Sequence, residues 1–167
     1  GGVGSGGQAT FSVIDTAGAT GPRTLQSLTI EASGEGGLSG GATPVQGNAG
    51  SAALVAQVSG AGAGISVSGD VALASLGSVA SATSGVSADL SGAGFAIAGN
   101  LTVDATGDLA IAAAQLLSAV GNADFTAGRT FTSTGLVSAG GNLAVQAPLG
   151  IDAERLASGG TASLSAT

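Results

Sequence analysis

The residues that could carry out acid–base chemistry in this chain are its ten carboxylates, because histidine and cysteine are both absent. That absence excludes catalytic triads built on histidine, cysteine nucleophiles and zinc sites with Cys or His ligands. Two carboxylates, Asp104 and Asp124, fall at outward positions of neighbouring sequence repeats, where an offset of two positions makes them diagonal neighbours. A catalytic pair also needs a cleft, and the chain has no aromatic wall to hold a sugar. We therefore expect solvated surface acids and no enzyme.

Other ligand-binding patterns are also missing. The glycine tract at residues 60–64 has no neighbouring lysine, and the Gly-Gly-x-Gly-x-Asp pattern of calcium-binding repeats does not occur. We expect no cofactor and no metal. The net charge is −7, and Arg23, Arg129 and Arg155 are the only basic residues, so no basic patch for nucleic acid can form. No apolar run reaches the length of about 18 residues that membrane insertion needs.

The elements that would position these side chains come from one repeated phrase. Gly99-Asn100-Leu101-Thr102-Val103-Asp104-Ala105 recurs from Gly121, Gly141 and Gly160, at steps of 22, 20 and 19 residues. Looser copies start at Gly7, Gln26, Gly50 and Gly69. Apolar and polar residues alternate along each copy, which predicts a strand with one buried face.

The fourth residue after each start is large and apolar in all eight copies. These predicted core residues are Phe11, Ile30, Leu54, Leu73, Val103, Phe125, Val145 and Leu164. In this register Phe125 points inward between Val103 and Val145, with Asp124 and Thr126 outward.

Repeats near 20 residues predict an all-β fold, a single-stranded parallel β-helix (β-solenoid) of about eight rungs of 19–24 residues with loop insertions. We expect one continuous solenoid, with glycine-rich rungs over residues 1–98 and regular rungs over 99–167. The insertions would be surface loops at residues 34–47 and 80–90. No long helix is expected, and the Ala- and Leu-rich segment 109–120 should be strand and corner.

Asparagine recurs at one corner of the predicted rungs. Asn100, Asn122 and Asn142 occupy the same position of successive copies, so their side-chain amides could hydrogen-bond from rung to rung. The alternative is that asparagine is only tolerated there, as it is at many turns.

The phrase resembles the filamentous haemagglutinin repeats of large Gram-negative secreted adhesins. Residues 140–147 read Gly-Gly-Asn-Leu-x-Val-x-Ala, and residues 107–111 read Gly-Asp-Leu-x-Ile. The resemblance implies a right-handed parallel β-helix, export across the outer membrane, and adhesive or filament-forming use at the cell surface. It implies no catalytic residues.

We therefore expect a structural shaft segment of a secreted or surface-anchored adhesin, cut from a longer protein. Its partners would be neighbouring solenoid rungs or copies of itself stacked head to tail, together with a host or cell-surface target. An ice- or carbohydrate-binding solenoid is one alternative, because Thr130, Thr132 and Thr134 alternate on one strand. A β-helical carbohydrate-active enzyme is the other.

Overall fold

The structure, a computed structural model, describes residues 6–15, 23–38, 44–58, 64–77, 84–90 and 94–167. All regular elements of this part of the chain are strands. In chain order they are β1 (Gln8–Asp15), β2 (Arg23–Leu25), β3 (Leu28–Glu31), β4 (Glu35–Leu38), β5 (Pro44–Gln46), β6 (Ser51–Val58), β7 (Gly64–Val67), β8 (Val71–Ser75), β9 (Gly85–Asp89), β10 (Gly94–Ile97), β11 (Leu101–Ala105), β12 (Asp108–Ala119), β13 (Ala123–Ala127), β14 (Thr130–Ala139), β15 (Leu143–Gln146), β16 (Gly150–Ser158) and β17 (Ala162–Ser165).

Nine of these strands form one curled parallel sheet. The long strand β12 joins its parts: the first half of β12 pairs with β9 and the second half pairs with β10. Two arms continue from there, β9–β6–β1 and β10–β7–β2. On the other side of β12 lie β14 and then β16, each paired along most of its length.

Six further strands form a second parallel sheet, in the order β17-β15-β13-β11-β8-β3. Its register brings equivalent positions of the phrase side by side, so that Leu101 pairs with Val71 on one side and Ala123 on the other. The inward side chains of the two sheets pack on one another in a single apolar cluster. Three phenylalanines are fully buried in it, Phe95, Phe125 and Phe131.

The predicted fold class, a single-stranded right-handed parallel β-helix of about eight rungs of 19–24 residues, is wrong. The structure has instead two parallel sheets of nine and six strands, with a small antiparallel pair, β4 and β5. The eight copies of the phrase do not form one ladder. Those from Gly7 and Gly50 are β1 and β6 of the nine-stranded sheet, and only the other six make up the six-stranded sheet.

The physical reason is that the alternation of apolar and polar residues predicts that a strand has one buried face, but it does not predict which sheet the strand joins. Strand β1 therefore looks equivalent to β3 in sequence although its partner is β6, 43 positions later. Both sheets contain strands from residues 1–98 and from 99–167. The division of the chain at that point stays a prediction.

The two predicted surface loops contain strands. Residues 85–89 of the predicted loop 80–90 form β9, which lies between β6 and β12 and buries Val86 and Ala88. The predicted loop 34–47 contains the antiparallel pair β4 and β5. Residues 39–43 of the first prediction and 80–83 of the second lie outside the described residues.

The segment at 109–120 is extended, as its alternation predicts. Residues 108–119 form β12, with Leu109 and Ile111 buried and a register shift between Ala112 and Leu116. The next strand bends at the same place, where Gly135 has a positive φ of 86°. The backbone N–H of Gly135 donates to Glu154 Oε2 at 2.7 Å, so a side chain from the following strand ties down the bend.

Candidate functional site

The predicted asparagine stack lies at the corner that precedes the strands of the six-stranded sheet. The backbone N–H of Asn122 donates to Asn100 Oδ1 at 2.9 Å, and that of Asn142 donates to Asn122 Oδ1 at 2.9 Å. The row is longer than the three asparagines, because Asn100 N–H donates to Asp70 Oδ1 at 2.7 Å and Thr161 N–H to Asn142 Oδ1 at 2.9 Å. We call these five residues the corner ladder.

Between the asparagines the corner ladder bonds side chain to backbone, whereas the sequence suggested amide to amide. At its first step Asn100 Nδ2 also donates to Asp70 Oδ1 at 3.3 Å. Among the three asparagines, each Oδ1 accepts the backbone N–H one strand further along. The glycine before each ladder residue is already paired backbone to backbone, with Gly121 N–H on Gly99 O at 3.0 Å. The next N–H donates to a short side-chain acceptor instead of a backbone carbonyl, which satisfies the backbone group at the turn. A carboxylate oxygen accepts this hydrogen bond as an amide oxygen does, so Asp70 can occupy the first position of the corner ladder.

A glycine is needed immediately before each ladder residue that stacks on another. A Cβ added at Gly160 would lie 2.5 Å from Asn142 Oδ1, and at Gly121 or Gly141 it would lie closer still to the preceding asparagine. Real Cβ atoms essentially never lie so close, so a side chain at these corners would displace the asparagine oxygen that accepts the ladder hydrogen bond. Before β3 the corresponding residue is Gln26, and no described strand precedes β3 in its sheet.

The eight predicted core residues differ in where the structure places them. Ile30, Leu54, Leu73, Val103, Phe125 and Val145 are buried in the apolar cluster. Phe11 is partly buried and packs against the cluster from the edge strand β1. Leu164, in contrast, is 56% exposed although its register partner Val145 is 0% exposed. Its side chain faces the same way, but no described strand follows β17.

The two predicted carboxylate neighbours are diagonal, as the repeat register indicates. Asp104 pairs in register with Thr126, and Asp124 pairs with Thr102, on the outward face of the six-stranded sheet. A surface depression of about 210 Å³, lined by residues of the nine-stranded sheet, involves neither of them. Its one acidic lining residue is Asp108, whose Oδ1 accepts from the Thr130 hydroxyl at 2.7 Å. These side chains therefore form no acid pair in a cleft.

The threonine row at residues 130–134 does not extend to the neighbouring strands. Thr132 pairs in register with Ala110 on one side and Asp152 on the other, and Thr134 pairs with Ala112. A binding face for ice or for a crystalline polysaccharide requires the same side chain on several adjacent strands. The strands that pair directly with β14 have no threonine at these positions, and the next threonine in the Thr132 row is Thr10, on the far strand β1.

Among the described strands, β17 comes last along the chain in the six-stranded sheet. It pairs with β15 on one side, and no described strand pairs with its other side. Leu143 N–H donates to Thr161 O and Ala147 N–H donates to Ser165 O, both at 2.9 Å. Because alternate residues of a parallel strand point their backbone groups in opposite directions, those of Ala162 and Leu164 face the side away from β15.

No protein-family model, no curated protein and no solved structure matches this chain. In the part that the structure describes, no helix has the length and apolar character needed to cross a bilayer. The same residues contain no group of three or more acidic side chains placed to hold a metal ion. The resemblance to haemagglutinin repeats therefore rests on the residues of the phrase alone.

Proposed function

We propose that this chain is a structural segment of a secreted or surface-anchored bacterial adhesin or extracellular fibre, and that it carries out no catalysis. The observation that carries the proposal is the corner ladder. The same hydrogen-bonding step recurs from Asp70 to Thr161. A sheet built by repeating one step suits a part whose task is to extend.

The composition of the surface supports a structural role. Its acidic side chains are spread over outward strand positions, as Asp104, Asp124 and Asp152 are. The ion pair between Arg129 Nε and Asp108 Oδ1, 3.5 Å apart, joins side chains that are each 48% exposed. Such pairs contribute little to stability or to selective binding. An acidic, lysine-free surface keeps a repetitive protein soluble and apart from its neighbours.

The experiment that tests this proposal is immunogold labelling of intact cells that produce the parent protein. An antibody raised against the 167-residue chain should label thin projections on the outer surface of unbroken cells. Cells that lack the protein are the matched control for background. Label that appears only after the cells are permeabilised would overturn the proposed location. Cleavage of polysaccharides by the purified chain, by hydrolysis or by a lyase reaction, would overturn the proposed absence of catalysis.

A further inference from the structure

We propose that a void in the core beside Ala88 is a binding site for one small apolar molecule of about the size of a xenon atom. The void lies between the two sheets, and the twelve side chains that line it are all apolar and all belong to the described residues. The proposal goes beyond the structural role proposed above and does not depend on it, because the site lies in the core and not on the surface.

The void exists because Ala88 is small while its neighbours are large. Ala88 pairs in register with Leu54 on β6 and with Ile111 on β12, and all three side chains are buried and line the void. A methyl group therefore stands where both neighbouring strands carry a branched aliphatic side chain. The space cannot close by collapse, because β9 is held by strands on both sides.

The core is filled differently one strand further along. Phe125 pairs in register with Val103, which lines the void, and the Phe125 ring contacts that of Phe131 with centroids 5.2 Å apart. At the level of the void the only aromatic lining residue is Phe95. The smaller side chains at this level explain why the void lies there and not beside the ring pair.

The void is large enough for a ligand somewhat larger than water. The centre of a water-sized sphere can move through about 10 Å³ of it. A compact space of that volume has a radius of ~1.3 Å, and the ~1.4 Å radius of the sphere brings the radius of the void to ~2.7 Å. Xenon, with a radius of ~2.2 Å, fits this space, whereas a benzene ring is too long for it.

The lining favours an apolar occupant over water. A buried water needs roughly two to four polar partners, and the side chains around the void offer none. The backbone groups of β9 are taken up by its pairing with β6 and β12. Side chains that border empty space lack dispersion contacts, and an apolar guest restores those contacts. The ligand class is therefore a small molecule or atom without hydrogen-bonding groups.

The test is a titration of the full chain with xenon, added under pressure and followed by the methyl signals in proton–carbon NMR spectra. We expect saturable shifts of the methyl signals of Leu54, Val103 and Ile111, which line the void. Leu143 is the internal control, because it is buried in the same apolar cluster without lining the void. Its methyl signals should stay in place.

A substitution that fills the void assigns the site. Ala88→Val places two further carbon atoms there, so it should abolish the xenon-dependent shifts and raise the urea midpoint of unfolding. The matched control is Ala139→Val, at an alanine that is 2% exposed but does not line the void. In this control the shifts should persist and the urea midpoint should fall, because the core there is already filled.

A substitution that enlarges the void tests the site independently of Ala88→Val. Leu54→Ala removes a lining side chain from the neighbouring strand. It should allow benzene to bind, with saturable shifts of the Ile111 methyl signals, whereas the unaltered chain should not respond to benzene. Circular dichroism spectra of each variant establish that the strands are intact.

Every other result contradicts the proposal. Absence of saturable xenon shifts in the unaltered chain would exclude the site, and shifts that persist in Ala88→Val would place xenon elsewhere. Loss of the shifts in Ala139→Val as well would assign them to the core in general and not to the void. Failure of Leu54→Ala to bind benzene would show that no void lies beside that side chain. None of these results bears on surface labelling, so the two proposals fail separately.

Discussion

Replacement of Phe125 by alanine is the most direct test of the core. Phe125 is 1% exposed, pairs in register with Val103 and Val145, and contacts Phe131 with ring centroids 5.2 Å apart at an interplanar angle of 57°. Both neighbouring strands are held by their own partners, so the cavity cannot collapse freely. We therefore expect Phe125→Ala to lower the free energy of unfolding by about 4 kcal/mol, within the usual range for a buried aromatic residue.

The measurement is urea unfolding followed by far-ultraviolet circular dichroism, because the chain has no tryptophan or tyrosine to serve as a fluorescent probe. The matched control is Phe11→Ala. Phe11 is only partly buried on the edge strand β1, so its removal should cost about 2 kcal/mol. A double-mutant cycle with Phe131→Ala should give a coupling energy of about 1 kcal/mol for the ring pair.

The result that would refute this reasoning is a loss of less than about 1 kcal/mol for Phe125→Ala, no larger than that for Phe11→Ala. Phe125 would then not be enclosed between two sheets. A zero coupling energy with Phe131 would refute the ring contact alone and leave the burial intact.

Three further predictions concern the corner ladder and the core, and all are measured by the same unfolding assay. Asn122→Ala removes the acceptor of the Asn142 N–H and should lower the free energy of unfolding by about 1 kcal/mol, whereas Asn122→Asp should retain most of the stability. Equal losses for the two variants would show that the ladder hydrogen bond does not stabilise the fold. Gly121→Ala should destabilise the chain because its Cβ would collide with Asn100 Oδ1, and the loss should shrink in an Asn100→Ala background; an unchanged loss would assign the clash to the backbone. Ser133→Ala should stabilise by up to about 1 kcal/mol, because the Ser133 hydroxyl is buried without a hydrogen-bond partner; destabilisation would mean that the hydroxyl has one.

The second half of the chain could be predicted from sequence in more detail than the first. From residue 99 onward the phrase recurs at steps of 22, 20 and 19 residues, and the register of β11, β13, β15 and β17 follows those steps. Short, nearly constant steps leave one way to align the strands. In the first half the steps are 43 and then 30 residues, and the 43-residue step contains a further copy of the phrase, β6, which joins the other sheet.

The features that could not be predicted from the sequence are those that depend on where a residue lies in the fold. Asp70 and Thr161 carry the same ladder position as the asparagines, but only the repeated asparagine stood out. A polar residue after every phrase start was the available signal. The exposure of Leu164 could not be inferred from the residues of β17, because burial of this side chain requires a neighbouring strand on both sides.

The shrinking distance between paired strands has a consequence for how the chain folds. Partners in the six-stranded sheet are 43 residues apart at β3 and β8, but 22, 20 and 19 apart among the last corner-ladder steps. Loop-closure entropy makes the 43-residue step about 0.7 kcal/mol costlier than the 19-residue step. Folding should therefore nucleate in the last third of the chain and proceed towards residue 8. The strands that close last, β1 and β3, should be the first to exchange their amide hydrogens with solvent.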